Sequence, residues 1–171
     1  NTAYVGKWRR EWMPLGYDDP NSSNANFCYI RYGEIVLTAA EAYNELGNTA
    51  KAWELINMIR KRAKATELSL SNYKSLMKAP KVWDLNFIDD SDETGKIRTV
   101  LFWERAFELA YEGVRKYDLI RWGIFKETLQ LFGQKTVANQ KGIYYPAGNN
   151  FQTGKHELFP IPEDEMLINY K

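Results

Sequence analysis

Two apolar runs with helical spacing, separated only by Gly47 and Asn48, constrain the fold of this chain more than any other feature. Between about Tyr29 and Leu46, apolar residues recur every three or four positions, which is the spacing of an amphipathic helix. The residues in this run are Tyr32, Ile35, Val36, Ala39, Ala40, Tyr43 and Leu46. Because glycine favours helix ends and asparagine favours helix starts, residues 47 and 48 predict a tight turn between two helices.

The second predicted helix begins after Asn48 and carries basic residues near its end, where positive charge stabilises a helix. Its predicted buried stripe consists of Ala52, Trp53, Ile56, Ile59 and Ala63. The two runs also follow the spacing of a tetratricopeptide repeat. The positions of that repeat are filled by Val36, Ala39, Ala40, Tyr43, Ala52 and Ile56. This spacing predicts a helical hairpin, in which small residues such as Ala40 and Ala52 allow close approach of the two helices.

Two more helices are predicted further along the chain. The third runs from about Ile97 to Tyr111 and the fourth from about Lys116 to Leu131, with a break at Gly113. Residues 1–27 are rich in turn-forming residues, and residues 66–96 lose helical periodicity, with one short helix expected among them.

These patterns predict an all-α fold made of tetratricopeptide-like helical hairpins, arranged as an α/α superhelix with long irregular loops. The chain has 171 residues, of which 44% are hydrophobic, so it can bury one continuous core. We therefore expect residues 1–171 to form a single domain.

Composition argues against several functional classes. The 23 Lys and Arg residues nearly balance the 22 Asp and Glu residues, so no basic surface for nucleic acid is expected. Cys28 is the only cysteine, which excludes an internal disulfide and a cysteine-based metal cluster. The sequence contains no run of 18 apolar residues, so no membrane-spanning helix is predicted.

An acidic ladder in the third predicted helix is the most distinctive charge pattern. Glu104, Glu108 and Glu112 are spaced by four residues and share one helix face, where like charges repel unless cations neutralise them. Arg115 and Arg121 follow just after Gly113, and a reversal there could bring their guanidinium groups onto the carboxylates. We predict a partly buried ion-pair network of structural function, whose members are Glu104, Glu108, Glu112, Arg115, Asp118 and Arg121.

Catalysis or metal binding by these carboxylates is the competing hypothesis. A helical di-metal site needs Glu-x-x-His pairs, and His156 is the only histidine. Carboxylates held by arginine also have a lowered proton affinity, which is the wrong direction for a general acid. Residues 90–97 partly resemble a calcium loop, but its twelfth position is Leu101 instead of glutamate. We expect no catalytic residue, bound metal or cofactor.

Four stretches carry a family resemblance. Residues 104–123 read ERAFELAYEGVRKYDLIRWG and resemble the SusD/RagB signature E-R-x-x-E-L-A-x-E-G-x-R-x-x-D-L-x-R-W-G. Residues 31–42, with Gly33 at a position that is usually Ala, are similar to its R-Y-A-E helix. Residues 57–63 are similar to its N-x-I/V-R-x-R-A ending, and residues 159–162 to its F-P-I-P element.

The resemblance implies a non-catalytic outer-membrane lipoprotein of the Bacteroidetes type, exposed at the cell surface. Such a protein captures a glycan or another nutrient for a SusC-like TonB-dependent transporter. It also implies that residues 1–171 are a C-terminal fragment of a longer protein, with the lipid anchor outside it. Aromatic residues in irregular segments are the expected sugar-stacking candidates, namely Trp83, Trp12 and Tyr17.

One alternative stays open at this point. A tetratricopeptide-like module could instead bind a protein partner through its concave face, without any sugar. The sequence preceding residue 1 would distinguish the two hypotheses, because a signal peptide with a lipidated cysteine indicates a surface lipoprotein.

Overall fold

The computed structural model describes residues 7, 13, 28–76, 85–139 and 145–169. These residues contain helices and turns but no strand, which confirms the all-α prediction. The helices are α1 (Tyr32–Glu45), α2 (Thr49–Arg62), α3 (Tyr73–Leu76), α4 (Glu93–Glu108), α5 (Arg115–Arg121), α6 (Phe125–Asn139) and α7 (Glu163–Asn169). None of the described helices is long and apolar enough to cross a membrane.

The predicted hairpin is formed by α1 and α2. Gly47 adopts a φ of +79°, the left-handed conformation that glycine tolerates, and the Asn48 amide donates to the Tyr43 carbonyl at 2.8 Å. The Asn48 side chain accepts a hydrogen bond from the Lys51 amide at 3.2 Å and caps α2. Ala40 and Ala52 are fully buried, consistent with close approach of the two helices.

Helix α4 packs against both helices of this hairpin, and the three helices enclose the main core. The core residues are Val36, Leu37, Ala40, Ala52, Ile56, Ile59, Leu68, Tyr73, Ile97, Val100 and Leu101. Their burial provides the main driving force for this arrangement.

The predicted stripe of α1 combined two faces of the helix. Val36 and Ala40 are buried, whereas Tyr32 and Ile35 are 74% and 52% exposed. Leu37 is buried in their place. Spacing alone could not separate the two faces, because the apolar residues cover more than half of the circumference of the helix.

Helix α4 begins earlier than predicted. The side chain of Asp92 accepts a hydrogen bond from the Gly95 amide at 2.7 Å, so the helix starts at Glu93 instead of Ile97. It ends at Glu108, three residues before the predicted end, and Tyr111 and Gly113 then adopt φ values of +64° and +81°.

The single fourth helix predicted for residues 116–131 is wrong, because the structure has two helices there. Helix α5 ends at Arg121, Gly123 adopts a φ of +70°, and α6 begins at Phe125. Helix α6 then continues through Gly133, where an added Cβ would lie 3.0 Å from the Tyr145 ring. The glycine is therefore used for close packing and does not end the helix.

Candidate functional site

The acidic ladder lies along one side of α4 and the turn that follows it. Glu104 and Glu108 belong to the helix, and Glu112 lies in the turn, where its amide donates to the Leu109 carbonyl at 3.2 Å. Cations from three other parts of the chain contact these carboxylates.

Glu104 is the most buried member of the ladder, with 5% of its surface exposed. It forms an ion pair with Arg60 of α2, which also donates from Nε to the Thr66 carbonyl at 2.6 Å. Burial raises the pKa of Glu104 above its usual value, although the charge and hydrogen bond of Arg60 act in the opposite direction. This pair joins the end of α2 to the C-terminal part of α4.

Glu108 and Glu112 share Arg31, the residue that precedes α1. Arg31 donates to the Glu108 side chain and backbone and, from Nε, to Glu112 at 2.6 Å. Arg62 also contacts Glu108 at 2.5 Å, and Lys7 contacts Glu112. Burial raises the pKa of Glu112, but the hydrogen bonds from Arg31 and Lys7 outweigh that effect and hold it below its usual value.

The prediction that Arg115 and Arg121 neutralise the ladder is wrong. Arg121 contacts Asp118 at 3.0 Å and Glu41 at 2.6 Å, while Trp122 donates to Glu41 at 2.7 Å. Arg115 lies over the Phe102 ring, with Cζ 4.0 Å from the centroid. Phe102 is two residues from Glu104, which places the two side chains about 200° apart around the helix. The bend therefore directs Arg115 to the opposite side of α4.

Asp118, a predicted member of the network, binds Arg105, which sequence reasoning did not single out. Arg105 donates from Nε and Nη2 to the two carboxylate oxygens of Asp118 at 2.8 and 2.7 Å. Both side chains are almost completely buried, and Arg105 also donates to the Thr38 hydroxyl at 3.2 Å. A buried arginine with a bidentate carboxylate holds α4, α5 and α1 in one arrangement.

Apart from Lys7, which pairs with Glu112, the partners that were missed lie within the stretches that carry the resemblance. Arg31 and Glu41 belong to residues 31–42, Arg60 and Arg62 to residues 57–63, and Arg105 to the signature at residues 104–123. A usable signal was the charge balance of α2, which ends in three basic residues and has only one acidic residue. Positive charge is favourable at a helix end by itself, so this balance indicates where carboxylates of another element can pair but does not identify them.

The remaining candidates are placed as follows. Trp83, Trp12 and Tyr17 lie outside the described residues, so sugar stacking by them stays a prediction. His156 accepts a hydrogen bond at Nδ1 from the Gln152 amide at 2.7 Å. Among the described residues, no three potential ligand side chains are grouped in a way that could hold a metal ion.

A cavity of about 350 Å³ lies between the end of α1 and the side of α4. Its apolar walls include Phe87, Phe102 and Trp122. Glu45 and Arg98 also line it and are joined by two hydrogen bonds of 2.8 and 2.6 Å. An apolar interior with a few polar groups is the usual composition of a small-molecule site.

Comparison with known proteins places this arrangement in a family. The model of the SusD family matches residues 1–171. Among relatives from Formosa agariphila, SusD-like protein P25 is 31% identical over 84% of this chain and 22% of its own length. SusD-like protein P2 is 28% identical over 99% of the chain and 29% of its own length, and SusD-like protein P38 is 33% identical over 74% and 22%.

The chain thus spans less than a third of the length of these relatives. No solved structure gives a significant match. The match to the family model covers every segment described above, including the acidic ladder and its arginine partners, and the chain belongs to the SusD family.

Proposed function

We propose that this protein is a non-catalytic nutrient-binding protein of the outer-membrane surface that captures a glycan for a SusC-like TonB-dependent transporter. The main support for the proposal is the family match over the whole chain. The ion pairs formed by the signature residues support it further. Glu104, Glu108 and Glu112 are paired with basic side chains and mostly buried, so a substrate has little access to them, which suits a scaffold better than acid and base chemistry.

Within this proposal, the helical part of the chain holds the shape of the protein and the irregular segments contact the ligand. Sugars present apolar faces that stack on exposed aromatic rings, so Trp83, Trp12 and Tyr17 are the proposed contacts.

Retention of the protein by immobilised polysaccharides tests the binding step. Native affinity gels that contain individual glycans should retard the full-length protein on at least one glycan. Trp83→Ala should abolish this retardation without changing the melting temperature. Tyr32→Ala is a matched control, because it removes a 74% exposed ring from α1, and it should leave the retardation unchanged. Equal retardation of both variants would remove Trp83 from the proposed site.

Co-purification tests the proposed partner. The protein, isolated with mild detergent from outer membranes of its own organism, should bring a TonB-dependent barrel with it. Recovery of the lipoprotein without any barrel, under conditions that preserve other membrane complexes, would contradict the transporter step. Release of reducing sugar from a retained glycan would contradict the non-catalytic assignment.

A further inference from the structure

One side of α6 combines amides with small residues. The residues on this side recur every three or four positions, and they are Gln130, Gly133, Gln134, Val137 and Ala138. Gln134, Val137 and Ala138 are exposed, and Gln130 is half-buried. Because Gly133 has no side chain and Ala138 has only a methyl group, this side of the helix leaves a groove between its longer side chains.

The chain that follows α6 returns to form the second wall of this groove. An added Cβ at Gly148 would lie 2.7 Å from the Cα of Gln130, so only glycine lets the chain approach α6 this closely. An added Cβ at Gly133 would lie 3.0 Å from the Tyr145 ring, so this ring packs against the helix at its glycine. The two close approaches bring Tyr145 and Asn149 to α6, where both line one cavity with the amides of the helix.

This cavity has a volume of about 390 Å³, which falls within the range of small-molecule sites. No charged side chain is among the described residues that line it. By contrast, the ion pair of Glu45 and Arg98 lines the cavity beside α1. A charged ligand in the groove would find no counter-ion to offset its loss of hydration, so an uncharged ligand is favoured.

The amides that line the groove are free to bind a ligand. Within the part of the chain that the structure describes, the side chains of Gln130, Gln134 and Asn149 form no hydrogen bond. Gln134 and Asn149 line the groove and are exposed, so a ligand can reach both. Each amide offers an acceptor oxygen and an NH2 group with two donor hydrogens. A sugar hydroxyl both donates and accepts, so it can pair with either end of an amide.

We propose that this groove binds a short stretch of an uncharged glycan. The Tyr145 ring contacts the apolar face of a sugar ring, and the amides of Gln130, Gln134 and Asn149 bind its hydroxyl groups. The exposed side of the groove at Ala138 lets a glycan chain continue beyond it, which a polysaccharide requires. This site rests on the glycan binding proposed above, and it adds α6 to the irregular segments as a part of the protein that contacts the ligand.

Native affinity gels of the full-length protein test the site through variants of the groove. The gels contain laminarin, starch or galactomannan as uncharged glycans, and alginate or polygalacturonate as acidic ones. Gln134→Leu removes one amide from the groove. It should weaken binding to an uncharged glycan by about 2- to 10-fold, which is the effect of one lost hydrogen bond.

Ala138→Met tests the groove without removing a polar group. The longer side chain fills the groove, adds neither a ring nor a charge, and should weaken binding by at least about 5-fold. Gln152→Leu is the matched control for Gln134→Leu, because it removes an exposed amide that does not line the groove, and it should bind as the parent protein does. All three positions are exposed, so the melting temperatures of the variants should equal that of the parent.

The outcomes separate this site from the proposed function. If Gln134→Leu or Ala138→Met is retarded as strongly as the parent, or if Gln152→Leu weakens binding equally, the site in the groove is overturned, while glycan binding as such still stands. Weakening that is confined to an acidic glycan would overturn the assignment to uncharged glycans. A folded parent protein that no glycan in the series retards would contradict the proposed function itself, and this site with it.

Discussion

Arg105 and Asp118 form two parallel hydrogen bonds of 2.8 and 2.7 Å, with 3% and 4% of their side chains exposed. This pair connects α4 to α5 across the bend at Gly113, where backbone packing alone provides few contacts. Charged groups this deeply buried are tolerated because each is the other's bidentate partner. The pair therefore fixes the direction in which the chain leaves α4.

Asp118→Asn should strongly destabilise the protein. The amide keeps the size of the side chain but leaves Arg105 as a buried charge without its counter-ion, which costs about 3–5 kcal/mol. Urea unfolding followed by circular dichroism measures the change in the free energy of unfolding. Glu54→Gln breaks the exposed Lys51–Glu54 pair and should cost less than about 1 kcal/mol. Equal losses in the free energy of unfolding would show that the buried pair contributes no more to stability than the exposed pair does.

Glu108→Gln should lower the melting temperature, because one neutral amide would replace the carboxylate that binds both Arg31 and Arg62. The expected loss is about 1–3 kcal/mol, which is typical of hydrogen bonds to charged groups. An unchanged melting temperature would contradict the structural function proposed for the acidic ladder.

Local signals explain which parts of this fold were predictable. The turn at Gly47 and Asn48 depends on residue types that favour helix ends and starts, so it was predicted correctly. The partners of the acidic ladder depend on where α1 and α2 lie relative to α4. Arg31 is more than 70 residues from Glu108 in the chain, and helical spacing gives no information about contacts between residues so far apart. The sequence pattern instead points to Arg115 and Arg121, the arginines that follow the bend, and these two contact other groups.

The split between α5 and α6 shows a second limit. Gly123 and Gly133 look alike in the sequence, yet the first adopts a left-handed conformation and ends a helix segment, while the second sits within α6 against Tyr145. Their conformations differ because different groups pack against each glycine, and only the tertiary structure shows those groups.

The free energy of unfolding should fall as the pH drops below about 4.5, in part because of Glu112. Hydrogen bonds from Arg31 and Lys7, acting against burial, hold its folded-state pKa below the usual 4.5. A group with a depressed folded-state pKa contributes stability above its unfolded value, and that contribution is lost as the pH falls through the folded value.

The Glu112→Gln variant isolates this contribution. The variant should be less stable than the parent chain at pH 7, and the difference should shrink progressively below about pH 4.5. Urea unfolding at pH 7, 5, 4 and 3 measures it. A stability difference that stays constant over this range would mean that ionisation of Glu112 does not stabilise the fold.

Two glycine-to-alanine changes should have very different effects. At Gly33, where the family usually has alanine, an added Cβ would lie 2.6 Å from Arg31 Nη1 and 2.7 Å from Glu108 Oε1. Both atoms end flexible side chains that can shift, and alanine favours the helix by up to about 1 kcal/mol, so Gly33→Ala should change stability by less than about 1 kcal/mol.

At Gly95 the added Cβ would lie 1.9 Å from the backbone oxygen of Asp89. Backbone cannot yield so easily, and Gly95→Ala should cost about 1–3 kcal/mol or more. Urea unfolding of the two variants compares them directly, and a larger loss at Gly33 than at Gly95 would show that the ion-pair cluster is more rigid than the loop that precedes α4.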